Sequence, residues 1–126
     1  MIKLKLPFPI SVNRYYKHTR KGVNISEEGM KFRRVVSFIV AANRRHHNIT
    51  NRIIDEPVEI TVEYYPDNNR VHDIDNPLKC LFDSLTKAQV WTDDKLVKKC
   101  TMIMNDVDRK KGYCLITIDR FHHAEI

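Results

Sequence analysis

An α+β fold is predicted by three patterns in this sequence. PVEITVEYY (57–65) alternates apolar and polar residues as a half-buried strand does. Two segments with helical spacing and helix-start residues flank it, beginning at Ser26 and at Asn76. Two further strand-like runs, KKCTMIMND and GYCLITID, close the chain on either side of a charged turn. With the N-terminal IKLKL, the order is β-α-β-α-β-β, a small mixed β-sheet with two main helices packed on it.

Each element has its own justification. Residues 2–6 alternate apolar and charged, so one face of that strand is buried. PFPISVNRYYKHTRKGVN carries two prolines, asparagine and a basic cluster, and reads as an ordered loop or long hairpin connection. SEEGMKFRRVVSFIVAANRRHHN has Ser26 as N-cap, two glutamates at the positive end of the helix dipole and basic residues at the other end. Met30, Val35, Phe38, Ile39 and Ala42 are its expected core face. NPLKCLFDSLTKAQV places Asn76 as cap and Pro77 at the first helical position. Leu78, Leu81, Phe82 and Leu85 face the core there, while Lys79, Asp83 and Lys87 turn away from it.

Length and composition bound the function. At 126 residues the chain is one domain, expected over residues 1–121 with a frayed tail at 122–126. Its 42% apolar content suffices for a core and sets disorder aside. Cys80, Cys100 and Cys114 are isolated and odd in number, with no CxxC pair, which points to buried thiols in an intracellular protein. No apolar run approaches the ~18 residues of a membrane span. The 22 basic residues outnumber the 16 acidic ones and leave a net charge of +6, suited to a polyanionic partner.

Against that excess, VHDIDNPLK (71–79) gathers acid. In extended backbone, Asp73 and Asp75 would face one side about 6–7 Å apart. Asp93 and Asp94 form a second acidic pair after Trp91. Converging carboxylates would make an oxygen-lined site for Mg²⁺ or Mn²⁺, and Lys79 beside them could stabilise a phosphoryl transition state. The same residues also suit a plainer role, with Asp75 and one of Asp93 and Asp94 capping helices and Lys79 solvated. VNRYYKHTRK (12–21) interleaves Arg14, Lys17, His18, Arg20 and Lys21 with Tyr15 and Tyr16, a pattern that binds phosphates and stacks bases, or else a surface loop with its tyrosines in the core. NRRHHN (43–48) reads as solvated, dipole-matched charge, and adjacent histidines such as His46 and His47 diverge too far to share one ion. Two classes therefore stand open from the residues: a metal-dependent nuclease, and a DNA-binding protein without catalysis.

Taken in order, these segments resemble the RusA family of Holliday junction resolvases. LPFPISVNRYYKHTR resembles its N-terminal Leu-Pro-x-Pro-x-Ser-x-Asn-Arg-Tyr-Tyr segment, and SEEGMKFR its Ser-x-Glu-Gly-x-x-aromatic-Arg helix start. DIDNPLKCLFDSLTKAQVWTDDKLV resembles its Asp-x-Asp-Asn-x-x-Lys, Asp-x-Leu and Trp-x-Asp-Asp pattern. The resemblance runs to about Asp119 and implies a homodimeric endonuclease that nicks four-way DNA junctions symmetrically with Mg²⁺ or Mn²⁺. It implies Asp73, Asp75 and Asp94 as catalytic metal-binding acids, Lys79 as the basic residue beside them, Asn76 in support and Asp93 as a lesser candidate. Where the family has a run of arginines before the first acid, this chain has DNNRVH, leaving Arg70 and His72 to meet phosphate.

Overall fold

The computed structural model describes residues 1–68, 73–108, 110 and 112–122. Its main sheet is ordered β1-β6-β4-β5, from β1 (Ile2–Pro7), β4 (Val58–Tyr65), β5 (Val97–Met104) and β6 (Tyr113–Arg120). β6 runs antiparallel to both β1 and β4, whereas β4 and β5 are parallel. The mixed α+β sheet is thus as expected, but the last two strands are not neighbours. β4 lies between them because it is the most completely buried strand, and α3 (Leu78–Lys87) returns the chain for a parallel pairing.

Alternation sorts the sheet cleanly. Ile2, Leu4 and Leu6 of β1, Val58, Ile60, Val62 and Tyr64 of β4, and Cys114, Ile116 and Ile118 of β6 share one core with the helices. α2 (Glu27–Arg45) contributes Phe32, Val36 and Val40, and α3 contributes Cys80, Leu81 and Leu85. Cys80 and Cys114 are buried free thiols, Cys100 is half-buried, and burial pushes Cys80 up to about 11 and Cys114 up to about 12.

The expected face of α2 is corrected by its packing. Ser26 caps the helix as expected, accepting from the Gly29 N–H at 3.0 Å, but the buried line is Gly29, Phe32, Val36 and Val40. At about 100° per residue, Phe38 falls on the side opposite Gly29, and it is 72% exposed. Gly29 sets this rotation: a Cβ there would stand 2.8 Å from the Tyr15 carbonyl oxygen.

The segment expected as an ordered loop or long hairpin connection has structure of its own. α1 (Val12–Tyr15) is a single turn, followed by a hairpin of β2 (Tyr16–Thr19) and β3 (Gly22–Ile25) that turns at Gly22, φ +124°. Both longer helices end in a left-handed residue, His47 and Gln89, each at φ 59°. In each case two successive N–H groups close on the last turn: His47 to Arg44 and Asn48 to Asn43, then Gln89 to Thr86 and Val90 to Leu85. Arg44 is not merely solvated charge. Its guanidinium donates to the carbonyls of Ala88 and Gln89, at 3.5 and 2.8 Å, and so clasps the end of α3 to α2. Among the described residues no helix is long and apolar enough to cross a membrane.

Candidate active site

The acid segment enters α3 through a turn rather than a strand. Asp73, Ile74 and Asp75 are exposed and lead through a bend, and the helix begins at Leu78 with Pro77 in the cap position. Asn76 is therefore one residue too early to cap. Its Oδ1 instead accepts from the backbone N–H of Val12 at 2.8 Å, tying the acid segment to the start of α1. Asp73 and Asn76 line a cleft of about 530 Å³ with Phe8, Ser11, Arg14 and Glu28. Arg14 is ion-paired there with Glu28.

Tyr64 lies fully buried at the end of β4 and feels the Asp75 charge. Burial drives its phenol well above the ordinary range, so it keeps its proton, and its hydroxyl has no hydrogen-bond partner among the described residues.

The second acidic pair is placed by Trp91. The end of α3 turns the chain at Gln89, and Trp91 is buried against Phe82 with ring centroids 5.6 Å apart. Its indole N–H donates to Thr86 Oγ1 at 2.7 Å. The N–H groups of Ile54 and Thr92 donate to the carbonyls of Val90 and Ile54, each at 3.0 Å, which staples this stretch to the 54–55 segment. Asp93 then caps a short 3₁₀ turn, Asp94–Leu96, accepting from the Lys95 N–H at 2.8 Å. That hydrogen bond lowers the Asp93 carboxyl, while burial raises that of Asp94 against the opposing pull of Lys79.

Lys79 lies on the first turn of α3, with its ammonium 3.3 Å from Asp83. The Asp83 carboxylate holds it above the ordinary lysine range, and Asp94 adds to the effect. Asp83 in turn faces Arg33 of α2 at 3.9 Å, and the Arg33 Nε–H donates to the Tyr15 hydroxyl at 2.7 Å. Sequence reasoning assigns Asp83 and Arg33 no role at the site. The signals that could find them are the four-residue spacing from Lys79 to Asp83 and the place of both residues in the segments that carry the resemblance.

The structure thus brings Lys79, Asp83 and Asp94 into mutual electrostatic reach and sets Asp73 with Asn76 and Arg14 around the cleft. Asp73, Asp75 and Asp94 make no ion pair with a described residue. As hard oxygen donors outside any ion pair among the described residues, they suit a divalent metal. They do not form a closed cage: among the described residues no group of three His, Cys, Asp or Glu side chains could hold a metal ion.

The basic segment divides. Arg14 is exposed, as are Lys17, His18, Arg20 and Lys21 on the hairpin. Tyr15 is corrected to a core residue: it is 0% exposed, and burial pushes its phenol up to about 12, so no base can reach its ring. Tyr16 is half-buried and packs edge-on against it at 5.0 Å. Arg70 and His72 lie outside the described residues, as does most of the expected tail.

Known proteins are similar to this chain in sequence. Residues 7–118 match the family described as Endodeoxyribonuclease RusA. A crossover junction endodeoxyribonuclease RusA of Shigella sonnei (strain Ss046) is 40% identical over 98 residues, 75% of this chain and 74% of that protein. The protein of the same name from Escherichia coli (strain K12) is 39% identical over 98 residues, with the same coverage. One from Enterobacteria phage 82 is 38% identical over 94 residues, again at 75% and 74% coverage. With the matched region extending from the end of β1 into β6 and taking in every candidate acid, the chain belongs to the RusA endodeoxyribonuclease family.

Proposed function

We propose that this protein is a structure-selective endonuclease that resolves four-way DNA junctions by paired nicking of opposing strands, in recombination and repair. The observation that carries this reading is the juxtaposition at α3. Asp94, which makes no ion pair with a described residue, stands within electrostatic reach of Lys79, a lysine that Asp83 holds in its charged form, and Asp73 and Asp75 lead into the same helix, in a protein of net charge +6. The names of the relatives supply the substrate, a crossover junction in DNA.

The residues divide the work by their chemistry. The exposed cations of the β2–β3 hairpin bind phosphates, giving affinity that is independent of sequence and weakened by salt. Lys79 is a charge stabiliser rather than a proton carrier, because Asp83 keeps it an ammonium. Asp73, Asp75 and Asp94 would hold Mg²⁺ or Mn²⁺, with Asn76 fixing the segment that carries the first two. A magnesium site often uses only one or two carboxylates and completes its shell with water and substrate phosphate, so a closed cage of acids in the free chain is not required. When bound, the metal would polarise the scissile phosphodiester and offset the charge that develops on it. A junction has near two-fold symmetry, and a C2 homodimer would present two such sites to opposing strands.

The absence of a gathered three-acid group among the described residues favours one other reading, a junction-binding protein without catalysis. A cleavage assay separates the two. A mobile four-way junction and a linear duplex of the same sequence are each incubated with Mg²⁺ and with EDTA. Paired nicks in opposing strands, only on the junction and only with metal, are expected. Binding without cutting across Mg²⁺ and Mn²⁺ would overturn the proposal in favour of the non-catalytic reading.

A further inference from the structure

Lys79 occupies an electrostatically poor position. It is the second residue of α3, where the helix dipole disfavours a cation. Its partner Asp83 lies four residues toward the C-terminus, the less favourable order for such a helical pair. Helix stability therefore gives no reason for this arrangement. Asp83 is also unlike an ordinary surface partner, because its side chain is only 21% exposed and faces a second cation, Arg33, which is 17% exposed. The guanidinium of Arg33 lies over the Tyr15 ring, 5.6 Å from its centroid, and donates to the Tyr15 hydroxyl. Tyr15 is anchored in the core. A continuous chain of contacts thus runs from the core through Tyr15, Arg33 and Asp83 to its outermost member, the half-exposed Lys79.

We propose that Asp83 is a positioning residue that holds the Lys79 ammonium on the Asp94 side of α3, and that Arg33, braced by Tyr15, fixes Asp83 in that role. The inference rests on the reading of Lys79 as the cation that meets the scissile phosphate. A free lysine side chain has several torsions to restrict before it can meet a phosphate. Asp83 restricts them in advance, so less of that cost falls in the transition state. Asp83 is not itself placed to touch DNA, because both its cations stand against it.

The test uses Asp83→Asn, Asp83→Glu, Lys79→Ala and the double variant Asp83→Asn/Lys79→Ala in the full chain. Single-turnover cleavage at saturating enzyme reads the chemical step, junction affinity reads binding, and ¹⁵N-detected lysine ammonium resonances read the tether without any cleavage. Asp83→Asn is expected to lose the protected Lys79 ammonium resonance. Cleavage should slow about tenfold, with affinity changed less than about twofold, the mark of an interaction used in the transition state. Asp83→Glu should recover much of both signals. The double variant should cut no more slowly than Lys79→Ala alone, because the two residues act as one unit. An unchanged Lys79 resonance in Asp83→Asn, or defects that multiply in the double variant, would overturn the proposal. Should wild-type protein cut no junction, the nuclease reading fails on that ground, while the resonance still decides whether Asp83 holds Lys79.

Discussion

Asn76 and Val12 are 64 positions apart in the chain, yet the Asn76 side-chain oxygen accepts from the Val12 backbone N–H at 2.8 Å. This one hydrogen bond joins the acid segment before α3 to the first turn of the basic segment. Asn76→Ala should leave the Val12 N–H without its partner in a half-buried site and cost about 1–2 kcal/mol of stability, read by urea unfolding. Cleavage should fall as well, because Asp73 and Arg14 then have no common anchor. Asn76→Asp keeps an acceptor oxygen and should restore much of the stability. Equal unfolding midpoints for wild type and the alanine variant would show that the bond contributes nothing.

Asp75 offers a sharper separation of binding from chemistry. It is exposed and makes no ion pair with a described residue, so its charge contributes little to the fold. Asp75→Asn should leave the unfolding midpoint unchanged and junction affinity equal or tighter, since one charge that repels phosphate is gone. Cleavage should drop by about two orders of magnitude or more, the scale of removing a ligand to a catalytic cation. Full activity in this variant, measured over a Mg²⁺ titration, would remove Asp75 from the site.

Asp94 carries a prediction about pH. Burial raises its carboxyl, with Lys79 opposing and Asp93 and Asp83 adding to the rise. A native value above the unfolded one means that the unfolded chain releases this proton first. The group's contribution to stability is therefore complete below the unfolded value and declines as pH rises through the native one. At neutral pH the ionised Asp94 is a net burden on the metal-free fold. Asp94→Asn should melt higher than wild type at pH 7 in EDTA, and the gap should close as pH falls toward about 4. A variant that melts lower at pH 7 would contradict this assignment of the charge.

Sequence reveals an element when its signal is local. Ser26 followed by two glutamates announces a helix start by itself, and the alternation through Val58, Ile60, Val62 and Tyr64 announces a strand. The orientation of α2 is not local: it depends on Gly29 meeting the Tyr15 carbonyl, an approach fixed by tertiary packing, so Phe38 is core by spacing and exposed in the fold. The order of β5 and β6 likewise depends on β4 taking the centre of the sheet. At the site, the acids and Lys79 are legible as residue types with a spacing. The link from Lys79 through Asp83 to Arg33 joins two helices far apart in the chain, and no periodicity reveals it. Tyr15 and Tyr16 show the same limit, since an aromatic pair among cations looks the same in sequence whether its rings face DNA or the core.

That last division gives a test of the proposed DNA-binding surface. Lys17, Arg20 and Lys21 are exposed on the hairpin, whereas Tyr15 is buried beneath it. Arg20→Ala and Lys21→Ala should weaken junction binding to a similar degree for every sequence. Each cation removed from a phosphate should also reduce the slope of log affinity against log salt by about one. Stability should be unaffected, because both positions are exposed. Tyr15→Ala should behave in the opposite way, costing about 3–5 kcal/mol of stability as a large core truncation does, with the salt slope of the folded fraction unchanged. Affinity measured at four or more salt concentrations, beside urea unfolding of the same variants, distinguishes the two classes. An unaltered slope in the double variant Arg20→Ala/Lys21→Ala would remove the hairpin from the DNA interface and leave phosphate binding to cations elsewhere on the chain.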